Sequence, residues 1–213
     1  MPFFNIKIME KALQLPVGGF DNNFSYLVTG EGKHSKEAVL IDPTGSKEVI
    51  EGALAARKLK AVLVLLTHLH PDHKELAPYF ASKGAKVFEP KEAKLGHEEL
   101  LEAAGLKIKV LHTPGHTPES VCYLIGKSIF TGDTLFARGY GRIGSRCTEQ
   151  EMIDSLQMLS RLPQKTVVWP GHDYGGASRT LGEALSNSSI MPPEKALDAL
   201  KKKIKEYEKK GAP

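Results

Sequence analysis

The chain has 213 residues, 41% hydrophobic and 25% charged, and its 29 Lys+Arg against 25 Asp+Glu leave a formal charge of +4. That apolar fraction at so low a net charge excludes a disordered chain, and the length is ample for a buried core. No apolar run approaches the roughly 20 residues of a membrane helix, and two cysteines, Cys122 and Cys147, cannot build a disulfide framework.

The N-terminal MPFFNIKIMEK lacks a basic segment followed by a sustained apolar stretch, so no secretory signal is expected and the reducing cytoplasm is the default compartment. Phe24–Val28 and Ala38–Ile41 read as strands joined by the polar turn Gly30–Lys36. Asp42-Pro43-Thr44-Gly45 then breaks the chain, and Ser46 can cap a helix with Val49, Ile50, Ala53 and Leu54 on its apolar face. Ala61–Leu66, apolar throughout, fits a strand covered on both faces. A helix is expected from about Glu75 to Gly84, then short strands at Lys86–Phe88 and Lys107–Leu111, with an acidic helical stretch around Glu98–Ala104 between them. Val121–Ile125 and Ser128–Thr131 form a hairpin around Gly126-Lys127, and Gly139, Gly141 and Gly144 mark a long loop. Thr148 and Glu151 have capping-box spacing and open a helix with Met152, Leu156 and Leu159 inward. Thr166–Trp169 is a last short strand, running into Pro170-Gly171-His172.

Residues 193–210 hold seven lysines against four acids, with Leu197, Leu200, Ile204 and Tyr207 at helical spacing. This predicts a terminal amphipathic helix with a solvated lysine face. A basic patch interleaved with aromatics is absent, so neither a nucleic acid nor a membrane is an expected partner. Strands followed by alternating strands and helices predict sheets covered by helices in one domain over residues 1–213.

The strongest signal is His68-Leu69-His70-Pro71-Asp72-His73, four candidate ligands within six residues directly after a buried strand. A strand end fixes the backbone, and the loop beyond it lets side chains converge. Imidazole is the commonest protein metal ligand, and carboxylate oxygen suits a hard cation. His116 in HTPGHT, Asp133 in IFTGD and His172 in VVWPGHD each sit just past an expected strand. His34 and His97 read as solvent-exposed, and His112 as a packing or hydrogen-bonding residue. Asp42 has two readings, a turn former before proline or an orienter of a metal-bound histidine.

HxHxDH followed by GH, GD and GH resembles the metallo-β-lactamase superfamily over residues 68–172, and the preceding strands extend the likeness over most of the chain. The resemblance implies an α+β fold, a four-layer αββα sandwich with two divalent metals at one edge between the sheets. By position, His68, His70 and His116 would hold one metal, Asp72, His73 and His172 the second, and Asp133 would bridge them. Zinc is the expected metal and iron the alternative. Such a pair shares and activates a water as hydroxide, with Asp72 and Asp133 as the catalytic carboxylates. Neither cysteine falls in a ligand motif, which points away from antibiotic hydrolysis.

FTGDTLF, Gly141-Arg142, RLP at 161–163 and GHDY at 171–174 resemble the glyoxalase II group. That resemblance implies a small-molecule thiolester substrate such as a hydroxyacylglutathione, with Arg142 as a substrate contact and Tyr174 near the thiol carrier. EAVLIDP, ARGYGR and HDYGG also resemble the iron persulfide dioxygenases, and His68, His116 and Asp133 alone make a 2-His-1-carboxylate set. A third reading, from another class, is a metal-binding interaction protein without turnover.

Overall fold

The computed structural model describes residues 8–9, 11–176 and 179–188. The expected lysine-rich helix at 193–210 lies outside them.

The first sheet keeps chain order in space: β1 (Ile8–Met9), β2 (Ala12–Gly18), β3 (Asn23–Thr29), β4 (Glu37–Ile41), β5 (Lys60–Leu65) and β6 (Lys86–Phe88). Its first four strands pair antiparallel and β4, β5 and β6 pair parallel. The parallel β4–β5 connection is carried by α1 (Lys47–Ala56), whose N-cap Ser46 accepts the Val49 N–H as its sequence predicts. The second sheet is also sequential: β7 (Glu98–Ala103), β8 (Leu106–His112), β9 (Val121–Ile125), β10 (Ser128–Gly132), β11 (Val167–Pro170) and β12 (Arg179–Thr180). Its one parallel pair, β10–β11, is bridged by α4 (Glu149–Ser160), opened by the Thr148–Glu151 capping box. A cap of this kind contributes about 1 kcal/mol.

Three apolar layers define the expected αββα sandwich. Ile50 and Leu54 of α1 and Phe80 of α3 (Ala77–Ser82) cover one face of the first sheet with Leu40, Val64 and Leu66. Tyr26, Ile41, Leu65, Ile108, Tyr123 and Trp169 fill the space between the sheets. Met152, Leu156 and Leu159 of α4, with Leu181 and Leu185 of α5 (Leu181–Asn187), cover the outer face of the second sheet. The β5 run is apolar at consecutive positions because Leu63 and Leu65 face the central layer and Val64 and Leu66 the outer one.

Two expectations are corrected. Glu98–Ala104 is not helical; Glu98–Ala103 is an edge strand paired along its length with β8. Its exposed Glu98, Leu100 and Glu102 alternate with half-buried Glu99, Leu101 and Ala103, a period of two that overrides the helix propensity of glutamate. Nor is there one helix from Glu75 to Gly84. A short α2 (Pro71–Lys74) begins on His70, and α3 follows after a break at Glu75-Leu76.

The sheets are tied together at one end. Tyr26 of β3 donates to the Pro170 carbonyl and Tyr123 of β9 to the Leu66 carbonyl, both buried. Main-chain bonds join Phe24 N to Gly171 O at 2.8 Å and Val121 N to Thr67 O at 2.9 Å. Those four acceptors flank the residues expected to bind metal. Among the described residues, no helix is long and apolar enough to cross a membrane.

Candidate metal centre

His68, His70, Asp72 and His73 follow β5; His116, Asp133 and His172 follow β8, β10 and β11 by way of loops. All seven converge where the sheets are laced. Histidine nitrogens approach one another at 3.0 Å (His68 Nε2 to His70 Nδ1), 3.0 Å (His116 Nε2 to His70 Nδ1) and 3.2 Å (His73 Nε2 to His172 Nε2). His68, His70 and His116 form one compact ligand triplet, Asp72, His73 and His172 another. Asp133 stands between them. Its Oδ2 is 3.5 Å from His116 Nε2 and 3.4 Å from His172 Nε2, and its Oδ1 is 3.4 Å from His73 Nε2.

The rings are aimed from behind. The Nδ1 of His116 donates to the Arg142 carbonyl at 2.7 Å and that of His172 to the Asp21 carbonyl at 2.8 Å. His73 Nδ1 lies 3.0 Å from Asp42 Oδ2, and His68 Nδ1 lies 3.1 Å from Thr67 Oγ1, which itself donates to Asp42 Oδ2 at 2.6 Å. With Nδ1 as donor in all four rings, each Nε2 is left facing the centre, free to offer its lone pair to a metal once it has lost any proton. Asp42 combines a tight turn with a contact to a histidine ring. It takes a left-handed backbone (φ 49°) at the end of β4, and its buried carboxylate orients His73 and accepts the Thr67 N–H at 2.7 Å.

Two observations test whether these groups suit a cation. Asp133 Oδ1 is buried with no hydrogen-bond donor among the described residues, an expensive state for a carboxylate oxygen unless a cation meets it. Gly171 leaves open a space that any side chain would fill: a Cβ there would lie 2.5 Å from Asp133 Oδ1 and 2.7 Å from His73 Cε1. The donor set, mostly imidazole with carboxylate, fits divalent ions of the zinc and iron type.

The electrostatics of the protein alone agree. Burial works against charge on His172, yet the hydrogen bond and charge of Asp133 lift its pKa to about 9. Burial likewise opposes ionisation of Asp133, but His172, His73 and His68 hold its pKa well below the ordinary carboxylate range. His68 is pushed down by burial and then by the neighbouring His73, which favours its neutral form.

The cluster opens into a cleft of about 1100 Å³. Phe20, Phe136, Tyr140 and Tyr174 give it aromatic walls, and Arg138 and Arg142 bring positive charge. Tyr174 stacks on His172 (5.2 Å, 13°), meets Phe136 edge-on and donates to Asp21. Arg142 lines the cleft, and its carbonyl holds His116. Sequence reasoning missed Asn23, whose Nδ2 donates to the main chain and carboxylate of Asp72 (3.0 and 3.2 Å), and also Thr67, Asp21 and Phe20. No metal-ligand spacing marks these four; Asn23 and Asp21 reach the site only through the β2–β3 turn. Of the histidines set aside, His112 is buried and within 3.3 Å of Glu99, His97 is exposed, and His34 is half-exposed beside Glu37 at 2.9 Å.

Sheets laced at one end around this histidine and carboxylate cluster define a metallo-β-lactamase-type architecture. The family model described as Metallo-beta-lactamase superfamily matches residues 18–87 and 89–172, and the chain belongs to that superfamily. Within it, the chain is 32% identical over 73% of its length to the probable hydroxyacylglutathione hydrolase glo2 of Schizosaccharomyces pombe, spanning 66% of that protein. It is 30% identical over 93% of its length to the hydroxyacylglutathione hydrolase of Xylella fastidiosa, spanning 76% of it. The ETHE1 structure from Myxococcus xanthus superposes with a TM-score of 0.71 at 30% identity over 84% of both chains.

Proposed function

We propose that this protein is a dinuclear metallohydrolase of the cytoplasm that cleaves a small thiolester, of the kind hydroxyacylglutathione represents. The observation that carries the reading is the pair of ligand triplets meeting on Asp133 at the floor of an aromatic, arginine-bearing cleft. Curated relatives named hydroxyacylglutathione hydrolase support the substrate class. His68, His70 and His116 would hold one ion, Asp72, His73 and His172 the other, and Asp133 would bridge them. What the metal pair supplies when bound is an acidified water and Lewis-acid polarisation of the acyl oxygen.

The chain's own groups do the rest. Arg142 and Arg138 attract and orient a carboxylate-bearing substrate, and Phe20 and Phe136 exclude water from its acyl and thiol segments. Asp72, half-buried at the cleft wall, would take the proton that the attacking water gives up. Tyr174 packs where the thiol carrier leaves. The hydrolysis consumes one water and yields a hydroxy acid and a thiol.

The test loads the purified protein with zinc and assays S-lactoylglutathione. Two zinc equivalents at the central ligands, with cleavage, are expected, and Asp133→Ala should abolish turnover with the folded far-UV spectrum retained. Full zinc loading without cleavage of any thiolester would overturn the proposal. A second reading, an iron persulfide dioxygenase, is favoured by the His₂Asp grouping of His68, His73 and Asp133, whose donor atoms lie within 4.8 Å of one another, and by the likeness to ETHE1. Oxygen uptake by an iron-loaded sample on glutathione persulfide, with no thiolester cleavage, would put it first.

A further inference from the structure

A second group of metal-ligating side chains lies at the edge of the second sheet, and none of its members lines the cleft. His97, Glu99 and His112 bring one donor atom each to within 4.8 Å of one another. His112 Nε2 is 3.3 Å from Glu99 Oε1, and His97 Nε2 is 3.7 Å from the same oxygen. Donors about 2.0–2.1 Å from a tetrahedral zinc stand about 3.4 Å apart, so small side-chain rotations would place all three on one ion.

The backbone holds them there. The β7–β8 register pairs Glu98 with Leu111 and Glu99 with Val110. One step further along, His112 N donates to His97 O at 3.1 Å, which sets the two histidines opposite each other. His97 and Glu99, two apart on an extended strand, point to the same face. The rings of His97 and His112 lie 5.2 Å apart. His112 is the buried base of the group, with its Nδ1 unpartnered among the described residues, while His97 and Glu99 are open to solvent at 54% and 40% exposure. A cation can therefore reach the group without passing through the cleft.

We propose that His97, Glu99 and His112 form a further divalent-cation site of the His₂Glu type, zinc-preferring, that clamps the edge strand β7 to β8. Its three protein ligands leave a position for water. The site is independent of the central one, so the two proposals fail separately.

The experiment equilibrates the full chain with zinc, removes unbound metal and counts zinc by elemental analysis. His97→Ala and Glu99→Gln, both at exposed or half-exposed positions, should each hold one equivalent fewer than wild type with turnover retained. A His68→Ala/Asp133→Ala/His172→Ala background, which takes a ligand from each central triplet and the bridging carboxylate, isolates the site. There, zinc should raise the thermal midpoint, and adding His97→Ala should remove both the rise and one equivalent. Equal zinc counts with and without His97→Ala, in wild type and in that background, would overturn the proposal and leave the trio a surface ion pair.

Discussion

The two sheets contribute to the central cluster in opposite ways. The first supplies four groups from a single stretch, residues 68–73, at the end of β5; the second supplies three from three loops after β8, β10 and β11. A contiguous motif carries its own geometry, because His70 caps α2 and Pro71 fixes its first turn, setting Asp72 and His73 at once. The dispersed half has no such local logic. It depends on main-chain registry between sheets and on glycines that let backbones close up. Gly132 (φ 48°) is one: a Cβ there would sit 2.3 Å from Thr67 Oγ1. The dispersed half should therefore be the more easily broken by changes that touch no ligand.

Gly171→Ala is the severest test. Its methyl group would displace both Asp133 and His73, and an ångström of displacement costs roughly a hundredfold in rate; kcat should fall by about that factor with secondary structure unchanged. Wild-type kcat in this variant would break the comparison. Asp42→Asn probes the contiguous half through its support. The amide keeps the shape but loses the charge behind His73, and zinc affinity should drop about 10–100-fold in a competition titration with a chelator. A larger loss than from Gly171→Ala would reverse the ranking.

Proton release sharpens the contrast further. With a pKa of about 9 and a reference value of 6.5, His172 is protonated at pH 7.5 in the metal-free protein. Zinc binding there should expel about one proton, read from calorimetry in buffers of differing ionisation enthalpy, and none above about pH 10. By the same linkage, the stability His172 lends the metal-free protein is fully present below pH 6.5 and is lost as pH rises through about 9. The smallest effect is expected from Arg142→Ala. Its carbonyl, not its side chain, holds His116. KM for an anionic thiolester should rise about tenfold, the scale of one charged hydrogen bond, with metal content unchanged. Zinc loss would show that the side chain also supports the cluster.

What the sequence makes legible follows the same division. The helix caps at Ser46 and Thr148, the doubly covered β5 and the β9–β10 hairpin are local patterns, and the structure contains each. β2 is hidden in the sequence because Pro16 and Gly18 interrupt its apolar run, and the strand accommodates them with a register shift against β3. In β7 the alternation was present, but glutamate's preference for helix masked it until pairing with β8 decided the matter. The seven-residue cluster was readable because its residue types are rare in such spacing. Asn23, Thr67 and Asp21, common polar residues, become part of the site only through the close approach of the two sheets.

The segment from Asp133 to Gly144 is fastened to the cluster by its main chain. Gly141 N donates to Asp133 O at 2.8 Å, Arg142 O receives His116, and Gly144 N donates to Gly115 O at 3.1 Å. On the proposed reading, selectivity would be retuned by exchanging the side chains at 138, 140 and 142, which line the cleft. Lengthening or shortening the same stretch would slacken these three tethers and disperse the histidine and carboxylate cluster itself. For evolution and for the protein engineer, this wall of the cleft is open to repainting and closed to rebuilding.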